Sequence, residues 1–497
     1  MKLNLTGSSV GHKTPEGGMG MVRVLRLGIL VGLLGLQSMG AKHCDLVADN
    51  NICQLLLYAG RPDIQQQQQD QLRQRMPKKK WTFFVYMASD NNLLEFGKAN
   101  IAQMMCIGSN ENVNLVVHMD LHMPGTKKVT KRLYIEKDHV IQIGPDSCMN
   151  SGSAETFYEA MAWAITNYPS DHLAVVMWDH GSGDLNPRLR GAVRPAPLFT
   201  YNPATNLFEL DRSIEFSDFL NKCQLELEHR GICFDETFGD YLDDQKLLKA
   251  LELTKKILGK NIDIVLFDAC FMAGVGTAWI FSQFADYMVA SEEAVLGPGY
   301  NYTTLTAPFA QGILGPQELA CAAVRSVKEL YGGVTEDYTH SALKLSEFSK
   351  LCDNIDLLAK TLITAIQQQV GDSVINTLKK SIRRPACTCF DEPNYKDLYH
   401  LYSNLYSNIA EITLKPGVNK TLLVQSIRKI LQDGLVLIPQ VVIANICGKN
   451  IAGAHGLYIY CPEGKGTCSH HASFAKTGFG LHNSWVQLIA TYAPFPY

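Results

Sequence analysis

Two short segments carry the residue types best suited to covalent chemistry. The apolar run Leu173 to Trp178 leads straight into Asp179, His180, Gly181, Ser182 and Gly183, and the run Ile262 to Phe267 leads into Asp268, Ala269 and Cys270. A cysteine attacks as its thiolate, and a histidine titrating near neutrality is the natural group to take the proton. Gly181 has no β-carbon, so a substrate carbonyl can approach the backbone there. The N–H groups of Gly181 and Cys270 could then form an oxyanion hole. The competing reading makes Cys270 a small buried residue and His180 an ordinary loop histidine. Asp179 adjoins the histidine, but neighbours at a strand end point in opposite directions, and it is not counted as a triad member.

Three other constellations need weighing. His118, Asp120 and His122 stand at alternate positions, which on a continuing strand places two imidazoles and a carboxylate on one face, a set able to hold a metal. A polar strand end before the turn at Pro124 and Gly125 is the alternative. Cys461, Cys468, His470 and His471 form a second cluster, but the two cysteines are further apart than in common zinc knuckles, which favours a disulfide or no bond at all. Cys387 and Cys389 are too close to bridge each other easily. No metal is assigned from these patterns. Phosphate-cradling glycine motifs, heptads, basic–aromatic interleaving and internal repeats are absent from the sequence.

Both reactive segments must be positioned by strands. The chain has 497 residues, 46% hydrophobic and 19% charged, enough apolar material for two or three folded domains. A formal charge of -3 supplies no field that would draw it to nucleic acid or to an anionic membrane. The 14 cysteines make an even total, but a chain of this size can bury a core without a disulfide framework. Arg23 and Arg26 precede an apolar run from Leu27 to Leu36 and small residues around Ala41, which reads as a secretory signal over 1–41, with Met1, Met19 or Met21 as the start. The run is shorter than the roughly 20 residues of a membrane span, so a secreted or cell-envelope location, off the membrane after signal cleavage, is expected. Residues 42–80 are polar and glutamine-rich, ending in Lys78, Lys79 and Lys80, and read as an exposed linker or pro-segment. From Trp81 onward, fully apolar strands alternate with helical patterns. That rhythm predicts an α/β fold with a mostly parallel central sheet flanked by helices. Residues 186–230 break the rhythm and read as an exposed insertion in a core spanning 81–340. Residues 341–497 read as a helix-rich C-terminal part with a last strand near Gly456 to Cys461.

Several segments, in order, resemble the clostripain-like family of cysteine peptidases, which share the caspase and gingipain type of fold. Trp81 to Leu93, with its Tyr86-Met87-Ala88-Ser89-Asp90-Asn91-Asn92 stretch, is similar to the family's first strand. Tyr168 to Gly183 resembles the strand bearing the catalytic histidine, and Phe267 to Met272 resembles the nucleophile motif. Gly231 to Leu242, Ala290 to Gly299, Tyr395 to Tyr399 and Gly456 to Pro462 match further family segments, so the likeness runs roughly from 81 to 490. It implies a caspase-like sandwich, Cys270 as nucleophile, His180 as base, and protein or peptide substrates. It also implies cleavage after Arg or Lys, with Asp268 as the pocket acid. Against this, Pro298 stands where relatives often carry a polar or acidic residue, and Tyr300 where Trp is usual. Some relatives need calcium, and the resemblance leaves that cofactor open. Self-cleavage is implied as well, with Arg188, Arg190 and Arg194 as candidate sites. A catalytically silent exported binding protein on the same fold is the alternative from a different class.

Overall fold

A computed structural model describes residues 76–122, 126–184, 198–211, 231–312, 314–464 and 474–493. The main elements of its first half are β1 (Lys79–Met87), α1 (Leu94–Met105), β2 (Val113–Leu121), β3 (Val129–Glu136), β4 (His139–Gln142), α2 (Ala154–Asn167) and β5 (Ser170–Trp178). There follow β6 (Phe199–Asn202), β7 (Leu207–Leu210), β8 (Ile232–Asp235), β9 (Asp240–Leu242), α3 (Asp244–Leu258), β10 (Ile262–Asp268), α4 (Val275–Phe281), β11 (Ala285–Ala290) and α5 (Pro316–Tyr331). The rest comprises β12 (Thr339–Lys344), α6 (Phe348–Gln367), α7 (Ser373–Ile382), β13 (Tyr395–Asp397), α8 (Leu398–Asn408), α9 (Lys420–Val441), β14 (Val442–Cys447), β15 (Tyr458–Tyr460) and α10 (Trp485–Tyr492).

Nine strands form one sheet in the order β14-β12-β11-β10-β5-β1-β2-β3-β4. Its middle, from β11 to β2, is parallel, and antiparallel pairs close both edges. The parallel strands are apolar on both faces because helices cover both. On one face Phe84 meets Trp163 and Tyr86 meets Phe157, both from α2, while Phe267 meets Phe281 of α4. On the other, Met87, Met119 and Trp178 crowd Gly97 of α1. Each large side chain buried this way contributes roughly 1.5–3 kcal/mol, which makes the sheet the most firmly held part of the molecule. The helices start and stop on local signals. Ser153 caps α2 by accepting from the Thr156 N–H, Asp243 caps α3 in the same way, and Gly259 ends α3 at a positive φ. The fold is the expected α/β sandwich with a mostly parallel sheet.

Three sequence boundaries change. The polar segment does not extend to residue 80, because Lys79 already belongs to β1 and donates to the Val113 carbonyl and the Tyr134 hydroxyl at 3.2 Å each. Lys78 and Lys80 are exposed, as expected, and pair with Asp171 at 2.9 and 3.0 Å, while Lys79 between them is half-buried. The division between 81–340 and 341–497 falls inside β12, which with β14 completes the main sheet. Within 186–230, residues 198–211 contain the β6–β7 hairpin. Its Phe208 N–H donates to the Val334 carbonyl at 2.8 Å and its Leu210 is buried, so this part is docked on the core. Arg188, Arg190 and Arg194 lie outside the described residues.

Candidate active site

Cys270 and His180 are brought together by strand register. β5 and β10 are adjacent and parallel, and Trp178 pairs with Asp268. His180 and Cys270 therefore each stand two residues past the same rung, at the carboxyl edge where open α/β sheets carry their reactive groups. The Asp179 N–H donates to the Asp268 carbonyl at 3.3 Å, holding the two exits side by side. A β-carbon on Gly181 would stand 2.7 Å from the Cys270 carbonyl oxygen, so glycine is what permits the approach. After the cysteine, Phe271 adopts φ 57°, a left-handed conformation costly for a bulky residue, and turns the chain sharply off the strand. Its carbonyl is held by the Tyr458 hydroxyl at 2.6 Å.

Both reactive groups are buried, and burial sets their charge. The Cys270 thiol is pushed up to about 12, partly offset by the Val295 N–H that donates to Sγ at 3.2 Å and reinforced by the nearby carboxyl groups of Glu293, Asp391 and Asp268. The His180 imidazole is pulled down to about 4 by the same loss of solvent. Loss of solvent thus favours the thiol and the neutral imidazole over a separated ion pair. His180 Nε2 lies 2.7 Å from Asn92 Oδ1. An amide oxygen only accepts, so Nε2 carries the proton and Nδ1 is left as the basic nitrogen.

Asn92 was not singled out by residue chemistry, although it sits in the Asp90-Asn91-Asn92 stretch of the first family-like segment. The structure explains all three residues. Asn91 donates to Asp179 Oδ1 at 2.6 Å and to the Ala88 carbonyl at 3.0 Å, while Asp90 accepts from the Thr237 N–H at 3.1 Å. Asp179 also accepts from the Phe234 N–H, so it ties loops together and leaves the role beside His180 to Asn92.

Asp268 is buried at the wall of a pocket next to Cys270. Its carboxylate accepts from the Tyr300 N–H at 3.2 and 3.3 Å and from the Tyr302 hydroxyl at 2.9 Å, yet burial still raises it to about 7. Gly299, at φ 63°, is required there, since a β-carbon would stand 2.2 Å from the carboxylate. The Pro298 carbonyl accepts from Asn100 of α1 at 3.2 Å, which fixes the loop behind the pocket.

The metal set suggested by His118, Asp120 and His122 does not assemble. His118 is buried and stacks on Tyr86 at 5.1 Å, and His122 bonds Asp90 at 3.0 Å. Asp120, Asp90 and Asp235 surround the Lys128 ammonium, at 3.0 Å, 3.3 Å and in direct contact, so the chain fills its densest carboxylate cluster with its own cation. Among the described residues no other group of three or more His, Cys, Asp and Glu could hold a metal ion. Cys461 bonds the Tyr492 hydroxyl at 3.4 Å, and Cys468, His470 and His471 lie outside the described residues.

The sequence profile of the Clostripain family, peptidase C11, matches residues 85–190 and 218–488. The chain belongs to the Clostripain family. Clostripain of Hathewaya histolytica is 26% identical over 165 residues, 31% of this chain, and the match spans only 23% of that protein's length. Two solved structures share the fold. One is a secreted C11 cysteine protease from Bacteroides thetaiotaomicron in complex with an irreversible peptide inhibitor, at 18% identity and TM-score 0.50, covering 83% of this chain and 99% of the other. The second is an inactive zymogen C11 protease from Parabacteroides distasonis, at 17% identity and TM-score 0.50, covering 81% and 98%. The Clostripain-family match embraces both reactive segments and leaves out 191–217, where the insertion lies. Among the described residues no helix is long and apolar enough to cross a membrane.

Proposed function

We propose that this member of the Clostripain family is a secreted cysteine endopeptidase that cleaves after Arg or Lys. The observation that carries the reading is the pairing of Cys270 and His180 two residues beyond one rung of adjacent parallel strands, with Gly181 against the Cys270 backbone. As substrate arrives, Cys270 Sγ attacks the scissile carbonyl and its proton passes to His180 Nδ1. Proton transfer accompanies attack because burial favours the neutral form of both groups. The Gly181 and Cys270 N–H groups stabilise the oxyanion, and His180 then protonates the leaving amine. Water hydrolyses the thioester and the pair returns to its neutral form. Asp268 takes the basic side chain in the adjoining pocket.

Self-cleavage within Arg188 to Arg194 would activate the enzyme; the zymogen form of the Parabacteroides relative is compatible with this step. The signal-like segment over 1–41 and the secreted Bacteroides relative support export. A fluorogenic panel with Arg, Lys, Asp and Leu at the cleaved position, run on wild type and Cys270→Ala, tests the reading. Wild type should release dye from the Arg and Lys substrates and the variant from none. Equal activity in the two proteins would sink the mechanism, and identical band patterns on a gel would exclude self-processing.

A further inference from the structure

The pocket beside Cys270 is small and opens to solvent, and it is lined by two carboxylates, Asp268 and Asp337, together with Tyr300, Tyr331 and His340 among others. Among the described residues no Lys or Arg lines it, and burial pulls His340 down to about 3, favouring the neutral imidazole, while its Nε2 bonds the Tyr300 hydroxyl. Asp268 alone makes a weak anchor for a cation. Its oxygens are already shared among the Tyr300 N–H and the Tyr302 hydroxyl, and burial keeps it only partly ionised near neutrality. Of the segment after β11, the residues that line the pocket are Ala294, Val295, Leu296, Gly299 and Tyr300, none of them acidic.

Asp337 enters from another element. It is 3% exposed, lies between α5 and β12, and accepts from the Leu210 N–H at 3.2 Å through Oδ2. Leu210 ends the β6–β7 hairpin, whose Phe208 pairs with Val334 and Thr335 of the same wall. The insertion thus fixes this carboxylate where the pocket needs charge. We infer that Asp337 is a second specificity residue, pairing with the Arg or Lys side chain of the substrate alongside Asp268 and held in place by the insertion hairpin. This inference rests on the peptidase reading above.

Asp337→Asn tests it, because the amide keeps an oxygen for the Leu210 N–H and removes the charge. In the variant the ratio of kcat/KM for an Arg over a Leu substrate should fall about tenfold, with the loss in KM, as expected when a charge-assisted hydrogen bond is removed. Asp337→Glu, which restores the charge, should recover part of the ratio. An equal fall for Arg and Leu substrates would show that Asp337 only shapes the wall, and would overturn the inference, as would an unchanged ratio. Wild type that cleaves without any basic preference would overturn both this inference and the specificity assigned to the enzyme, whereas a retained preference in Asp337→Asn removes this inference alone.

Discussion

In the proposed mechanism the contact of His180 Nε2 with Asn92 Oδ1 orients the ring so that Nδ1 is the basic nitrogen. Asn92→Ala should therefore lower kcat by about tenfold to a hundredfold with little change in KM, since the ring loses its tautomer and aim but the pocket is untouched. A fall confined to KM would refute the role. Asp268 gives a second residue-scale expectation. Its carboxyl is raised to about 7 and so gains charge as pH climbs through that value. The kcat/KM for Arg and Lys substrates should rise with pH through about 7, and a Leu substrate should lack this limb. His180, pulled down to about 4, contributes an acid limb common to all substrates near that lower value. If both substrate classes showed the same profile through neutrality, Asp268 would not be reading charge.

Among the elements, the loop between β1 and α1 matters most to the site, and a buried charge cluster anchors it. Lys128, just before β3, faces Asp90 in that loop, Asp120 at the end of β2 and Asp235 at the end of β8. Removing this cation would leave three buried carboxyls without its compensating charge. Lys128→Met should destabilise the protein by about 3–5 kcal/mol, measured by urea unfolding, and should lower kcat as Asn92 loses its support. A loss under about 1 kcal/mol would show that the acids take up protons and dispense with the lysine. The hydrophobic rhythm of the strands made β1, β2, β5 and β10 legible, because full burial on both faces demands continuous apolar runs. The β6–β7 hairpin was not, since its pattern of half-exposed residues resembles a loop and its docking depends on acceptors at 334 and 337, far along the chain.

At the scale of the molecule, the sheet and its two helical layers are joined by no disulfide among the described residues. Among the described residues Cys106, Cys148, Cys233, Cys270, Cys321, Cys352, Cys387, Cys389, Cys447 and Cys461 form no disulfide with one another. The thermal midpoint should accordingly be the same with and without a reductant such as dithiothreitol. A drop of several degrees on reduction would mean that a disulfide braces the fold. Alkylation of the purified protein should instead strike activity, through Cys270. The C-terminal half is not an appendage. β12 and β14 finish the sheet, and Tyr458 reaches back to hold the turn after Cys270.

By itself the sequence determined the fold class and the two apolar strand ends, because these follow from local periodicity, while His180 and Cys270 were pointed to by the resemblance to a family rather than by residue type alone. Only the tertiary structure decided the partners and charges of those groups. Asn92 at the imidazole, a preference for the neutral pair, Lys128 in place of a metal and Asp337 in the pocket all arise from contacts between segments distant in the chain and from the loss of solvent around them. Neither distance in space nor desolvation is written in local pattern.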